Sequence, residues 1–387
     1  MVGNIFSFAI YMLIYIVAGF FFYLADKEIS SNRDRKSIKF LAAGVIVLCL
    51  FAATRGENVG TDMQVYAIPL YNNTKALNSL ATILSQDLRI EKIYYILAYI
   101  SSHFFGRIEV FLFTLELLVF LPVTICIYKE RKKIRMVVAM TFFMLLYYPM
   151  SLNAMRQSIA VAFLLLAISF FLNKKKLWSL VLSVVSIYFH SSAIIGIIIL
   201  AIIIGISKIR KTIAKFITAI ASVGFGFVFA TRWYSIANSA IQIGLLPIKY
   251  SYKIYQFKEN FSGGENIFAT GKLGLVDLFF RLLLFILPLL MLWNKKNEDA
   301  RLQFYIKTSL INIAIYVCIY FSLHTFYGYR IVMPLDYLNI LYFPNLNIIF
   351  KLGNGNKLRG YSLMIIIALI YSFMYYCYAG AHQVMIL

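Results

Sequence analysis

Along the chain, apolar runs near twenty residues long alternate with polar breaks of two kinds. Some breaks are tight basic clusters: Lys27 to Lys39, Lys129 to Arg135, Lys174 to Lys176, Lys208 to Lys215, Lys295 to Arg301, and Lys351 to Arg359. Others mix acids, amides, glycines and aromatic residues. A helix of about 20 apolar residues crosses roughly 30 Å of hydrocarbon. The strict alternation expected of an outer-membrane barrel is absent. The pattern predicts an all-α fold, a polytopic integral membrane protein built as a single membrane domain over residues 1–387.

Charge placement orders the crossings. Cytoplasmic loops carry an excess of Lys and Arg. If all six clusters face the cytoplasm, the parity of each intervening stretch is set. Met136 to Leu172 has basic clusters on both flanks. One straight helix of roughly 37 residues would run about 55 Å and separate those flanks. Two helices joined at the polar centre, Pro149 to Gln157, keep both flanks together. Leu177 to Ser207 repeats the logic, as two short spans or a re-entrant pair, with His190 at the hairpin tip. The expectation is about twelve transmembrane helices, with both termini outside, near 4–25, 40–54, 108–128, 136–150, 157–172, 177–190, 191–206, 213–230, 273–293, 303–323, 331–349 and 361–378. Ile93 to Phe105 is apolar but short, and reads as an interfacial or re-entrant helix on the outer side.

Two long outer-face segments result, at 55–107 and 231–272. The second interleaves Tyr250, Tyr252, Tyr255 and Phe257 with Lys249, Lys253 and Lys258. Such a pattern suits sugar rings and phosphates, and equally an aromatic belt at headgroup level.

Composition agrees with the pattern. The chain is 61% hydrophobic and only 14% charged, with a mean hydropathy of +0.80. No soluble core absorbs that much apolar surface. The net charge of +21 sits in the loop clusters, so it implies no nucleic-acid partner. The four cysteines lie in or beside apolar runs and suggest neither disulfides nor a metal site. The first helix has no basic segment before it and reads as a retained span, not a signal peptide. There is no phosphate-binding GxxxxGK[ST] loop.

The candidate chemistry lies where polar groups meet apolar spans. Arg55, Asp62, Asn153, Arg156, Gln157, His190, His324 and Arg330 all map to outer helix ends, while Glu116, Asp277 and Arg281 lie inside apolar runs. Ionisable groups at membrane depth are costly and face a partner or a wet cavity. Asp277 and Arg281, four residues apart, can neutralise each other on one helix face. Glu116 reads as a hydrogen-bonded structural carboxyl. Several arginines converging on one wet site suit an anionic ligand, phosphate above all, because the guanidinium fork donates two parallel hydrogen bonds.

Three patches carry a resemblance. The first is Arg55, Val59, Gly60, Thr61, Asp62 and Tyr66, in "RGENVGTDMQVY". The second is Asn153, Arg156, Gln157, Ile159 and Ala160. The third is Phe189, His190, Ser192 and Ala193. Together the chain resembles the EpsG family of Wzy-like bacterial polysaccharide polymerases, with motifs over roughly 40–205. Further on, only Arg330 in "YGYRIVMPLDYLNILYF" is similar to a family arginine.

The resemblance implies a metal-independent, cofactor-free membrane glycosyltransferase of the bacterial inner membrane, with its active site facing the periplasm or cell exterior. It would join oligosaccharide repeat units carried on undecaprenyl diphosphate and release that lipid. Its products would be exopolysaccharide, capsule or O-antigen. Its partners would be the lipid-linked oligosaccharide, membrane lipid, a chain-length regulator and a flippase. Under this reading Arg156 is catalytic, and Arg55 and Arg330 bind substrate, the three stabilising the diphosphate leaving group. His190, or else Asp62, serves the acceptor hydroxyl, since imidazole titrates near neutrality. Asn153, Gln157 and Tyr66 orient sugars. A flippase or exporter of the same lipid-linked sugars would also want cations, but at midplane depth. Another polyprenyl-dependent transferase or ligase would share the arginines and differ in acceptor.

Overall fold

The structure is a computed structural model. It describes residues 2–207 with short gaps, scattered positions between 217 and 313, and residues 325–344 and 357–379. Every described element is helical, with no strand among the described residues. The chain forms two compact units: Met1–Ile198 with Tyr337–Leu387, and Ile199–Asp336. Of the second unit, the described elements are the C-terminal part of α11, a helical stretch near residues 234–242, and the first part of α12. The predicted spans at 213–230, 273–293 and 303–323 and the 231–272 segment are described only in part, and Asp277, Arg281 and His324 lie outside the described residues.

In the first unit the order is α1 (Val2–Ser30), α2 (Asp34–Ala53), a π-helical turn (Met63–Ala67), α3 (Ile68–Ala76), α4 (Leu80–Ser85), α5 (Lys92–Ile100), a second π-helical turn (Ser101–Phe105) and α6 (Ile108–Lys129). Then come α7 (Met136–Leu146), α8 (Tyr148–Asn153), α9 (Met155–Leu172), α10 (Lys176–Phe189) and α11 (Ala193–Ser207). Towards the C-terminus α12 (Thr325–Tyr342) and α13 (Lys357–Met374) follow. α1 packs on α2, α2 on α6, α6 on α9, and α9 on α10, while α7 packs on α1 and α13.

Among the described residues, four helices are long and apolar enough to cross a membrane: Ile5–Ser30, Asp34–Ala53, Ile108–Lys129 and Met155–Leu172. Met136–Leu146, Lys176–Phe189 and Met364–Cys377 are apolar but shorter. This is a helical membrane protein, and the described residues carry fewer full-length spans than the twelve expected. One reason is visible at 136–172. Pro149 sits in the first turn of α8, where its missing N–H leaves no helical bond unmade. Tyr147 and Ala154 leave helical geometry on either side. The expected hairpin is therefore present, but its first arm is split into α7 and the short α8.

Among the described residues, the basic clusters after α1, α6 and α9 gather at one end of the bundle. Both oxygens of Asp26, near the end of α1, accept the first amides of α7: Met136 N–H at 2.8 Å and Val137 N–H at 3.1 Å. Arg131 pairs with Asp34 at 2.8 Å, and Asn173 Nδ2 reaches Glu130 Oε1 at 3.4 Å. The loops after α1, α6 and α9 thus meet, as the parity argument requires.

The stretch between α2 and α6 is itself helical. The sequence predicts one interfacial or re-entrant helix over its last part, Ile93 to Phe105. It is α5 continued by a π-helical turn that Gly106 ends at φ +66°. At 1.5 Å per residue α5 is about 14 Å long, too short to cross. Its role is to pack against α3, α6 and α10.

Candidate functional site

At the end of the bundle opposite the basic loops, four breaks between helices come together. The stretch after α2 turns through Gly60, at φ +94°. A Cβ there would stand 2.6 Å from the Leu152 carbonyl oxygen. Only glycine lets the two backbones approach so closely. Val59 beside it is buried.

Two residues further on, Asp62 Oδ2 accepts the Met155 amide at 3.2 Å. Met155 is the first residue of α9, whose own N-cap position, Ala154, offers no side-chain cap. Asp62 therefore caps α9 from a distant part of the chain, satisfying one orphan amide and facing the positive end of the helix dipole. Arg55 closes the same corner, with Nη2 3.0 Å from Met155 Sδ.

Arg156, one residue into α9, is held from two sides. Its Nη1 pairs with Glu91 Oε2 at 2.8 Å. Its guanidinium carbon lies 4.4 Å from the centre of the Tyr66 ring, a cation–π contact. Asp62 also bears on it electrostatically.

Tyr94, on α5 and 1% exposed, joins this corner to the His190 hairpin. Its hydroxyl is shared between the Phe189 carbonyl at 3.0 Å and the Arg156 carbonyl at 3.2 Å. Burial pushes that hydroxyl well above its ordinary pKa, so it remains a donor. His190 follows α10, where Nδ1 accepts the Ser192 amide at 3.2 Å and lies 2.7 Å from Ser192 Oγ.

The electrostatics are unusual for a membrane bundle. Burial pulls Arg55 below its ordinary pKa, while the nearby Glu116, Tyr148, Tyr11 and Asp62 act in the other direction. Glu116 on α6 is buried and accepts from Ser151 Oγ at 2.5 Å, the structural hydrogen bond expected of it. Arg55 Nε and Arg156 Nε are both buried, and neither has a hydrogen-bond partner among the described residues. A buried donor left unpaired costs about 1–3 kcal/mol, so two such donors at one corner mark a place suited to an anion.

Of the residues singled out in the sequence, Arg55, Asp62, Tyr66, Asn153, Arg156, Gln157 and His190 thus all lie at or beside this corner. Asn153 is 0% and Gln157 5% exposed, so both face packed protein. Arg330 lies on α12 in the other unit, and its side chain is outside the described residues. Glu91 and Tyr94 were missed. The available signal was an acid, Glu91, placed just before the short apolar run that begins at Ile93. No group of three His, Cys, Asp or Glu side chains is placed to hold a metal among the described residues.

A bundle of apolar helices with two buried arginines and nearby carboxylates gathered at one end defines the class, a polytopic membrane protein. The EpsG family signature matches residues 38–385, nearly the whole chain. The chain belongs to the EpsG family, a Wzy-like polysaccharide polymerase family. No curated protein and no solved structure matches it. Membership carries a coarse function: a glycosyltransferase-like polymerase role in polysaccharide biosynthesis.

Proposed function

We propose that the protein joins oligosaccharide repeat units carried on undecaprenyl diphosphate, at the outer face of the bacterial inner membrane, and releases undecaprenyl diphosphate. The observation that carries this reading is the pair of buried, unpartnered nitrogens, Arg55 Nε and Arg156 Nε. A diphosphate leaving group gains negative charge as its bond to the sugar breaks. Fixed guanidinium donors already in place stabilise that charge without reorganising. Tyr66, stacked on Arg156, offers an aromatic face to a sugar ring. His190, or else Asp62, is the group assigned to the acceptor hydroxyl, and Arg330 is kept as a third cation for the diphosphate. A chain-length regulator and a flippase are the expected partners.

The test is a strain lacking the gene, scored for surface glycan by gel and with an antibody to the repeat unit. Surface molecules bearing one repeat unit and no ladder are expected. The wild-type gene should restore the ladder, and Arg55→Ala or Arg156→Ala should not, at matched amounts of folded protein. Complete loss of surface repeat units, with lipid-linked units trapped on the inner side, would replace this reading with a flippase.

A further inference from the structure

The two residues assigned to the acceptor hydroxyl are both already engaged. His190 Nδ1 accepts the Ser192 amide. A neutral imidazole held this way carries its proton on Nε2, so that nitrogen donates rather than accepts. Asp62 is 6% exposed, and Oδ2 caps α9 through the Met155 amide. A third carboxylate reaches the same corner. Glu91 stands at the N-cap position of α5 in extended geometry, φ −60° and ψ 134°. Its side chain is 24% exposed, and its ion pair with Arg156 uses Oε2.

We propose that Glu91 is the group that takes the proton from the acceptor hydroxyl, a role that rests on the polymerase reading above. Arg156 then lies between the two reacting partners. Its Nη1 fixes the Glu91 carboxylate, while its unpaired Nε faces the diphosphate. In the transfer, the bond from the anomeric carbon to the diphosphate oxygen breaks, and its electron pair leaves on that oxygen. The acceptor oxygen forms the new bond to the anomeric carbon and gives its proton to Glu91. The carboxyl returns that proton to water. Glycosyl transfer passes through an oxocarbenium-like state. The hydroxyl becomes strongly acidic only as the new bond forms, so a carboxylate within reach can receive its proton. Greater exposure also favours Glu91 over Asp62, because a hydroxyl on a second lipid-linked glycan must reach it.

The full-length protein in lipid nanodiscs, given a polyprenyl-diphosphate-linked repeat unit, provides the assay. Glu91→Gln should lower kcat by about 100-fold or more, the usual range for a lost general base, and leave KM within about threefold. Glu91→Asp should recover at least about tenfold over Glu91→Gln. If Glu91→Gln does not fold, Glu91→Asp alone decides, because it keeps the charge opposite Arg156 and withdraws the carboxylate by one methylene. A kcat fall of about tenfold with KM unchanged is then expected. Either Glu91 substitution combined with Arg156→Lys should be slower than Arg156→Lys alone; a double variant no slower than Arg156→Lys would make Glu91 only a holder of Arg156 and overturn the proposal, as would wild-type kcat in both single variants. Absence of chain growth by the wild-type protein in the same assay would instead sink the polymerase reading.

Discussion

Substituting Gly60 by alanine tests whether the approach of this turn to α8 holds the corner together. Two costs arise. At φ +94° an L side chain is strained, by about 1–2 kcal/mol for a left-handed backbone. The new Cβ would also stand 2.6 Å from the Leu152 carbonyl oxygen. That oxygen belongs to backbone and cannot rotate aside, so the clash adds about 1–3 kcal/mol, the typical cost of overpacking. The expected loss is therefore about 2–5 kcal/mol.

Two other glycines separate these terms. A Cβ on Gly106, at φ +66°, meets nothing within 4 Å, and one on Gly56 also meets nothing, with no positive φ. Thermal midpoints of the detergent-solubilised variants should fall in the order Gly56→Ala least, Gly106→Ala intermediate, Gly60→Ala most. Gly60→Ala should also lose more polymer per folded molecule than Gly106→Ala. Leu152 lies three residues before Met155, so any displacement passes into the contacts of Met155 with Asp62 and Arg55. A Gly60→Ala protein as stable and active as Gly56→Ala would refute the reasoning.

Tyr94→Phe removes the hydroxyl shared by the Phe189 and Arg156 carbonyls. It should cost about 1 kcal/mol and shorten the glycan ladder; an unchanged thermal midpoint would count against that link. Asp26→Ala removes both acceptors at the start of α7 and should cost about 0.5–2 kcal/mol, as a lost helix cap does. Because Asp26 lies at the other end of the bundle, activity per folded molecule should hold, and its loss at equal folded amounts would contradict the separation of the two ends. Arg156→Lys keeps the charge but loses the planar fork that stacks on Tyr66 and pairs with Glu91. Turnover should fall by about tenfold or more, and wild-type turnover would show that charge alone suffices.

Much of the architecture was legible because it follows from one-dimensional constraints. A basic cluster on both flanks of Met136 to Leu172 demands a reversal between them, and the helix breaks at Tyr147 and Ala154, on either side of the short α8 that Pro149 helps to start. The convergence of Arg55, Asp62, Arg156 and His190 followed from the same parity. What parity does not contain is lateral neighbourhood. Glu91 and Arg156 are brought together only when α5 packs on α3, α6 and α10. No local periodicity near Ile93 points to that pairing. The approach of Gly60 to Leu152 is likewise a contact between backbones, and the glycine alone signals only a turn. The split of the first hairpin arm was missed because hydropathy runs unbroken from Met136 through Pro149, while the backbone departs from a helix at Tyr147.

The polar stretch after α2 has a physical logic that joins structure to the proposed chemistry. The start of α9 is positive through its helix dipole, and Arg55 and Arg156 add two cations beside it. Left alone in a membrane protein, these groups would repel one another and carry a large desolvation cost. Asp62 caps the helix, Glu91 pairs with Arg156, and Glu116 bears on Arg55. The arginines are thus held in position before any ligand arrives. Such pairing also weakens the binding of a ground-state diphosphate, which must share the guanidinium groups with resident carboxylates. In the proposed reaction the balance would change as the sugar–phosphate bond breaks, because new charge would develop on the leaving oxygen, for which the unpaired Nε donors are free. An interaction that strengthens at that moment lowers the barrier, whereas one of equal strength throughout would only tighten binding.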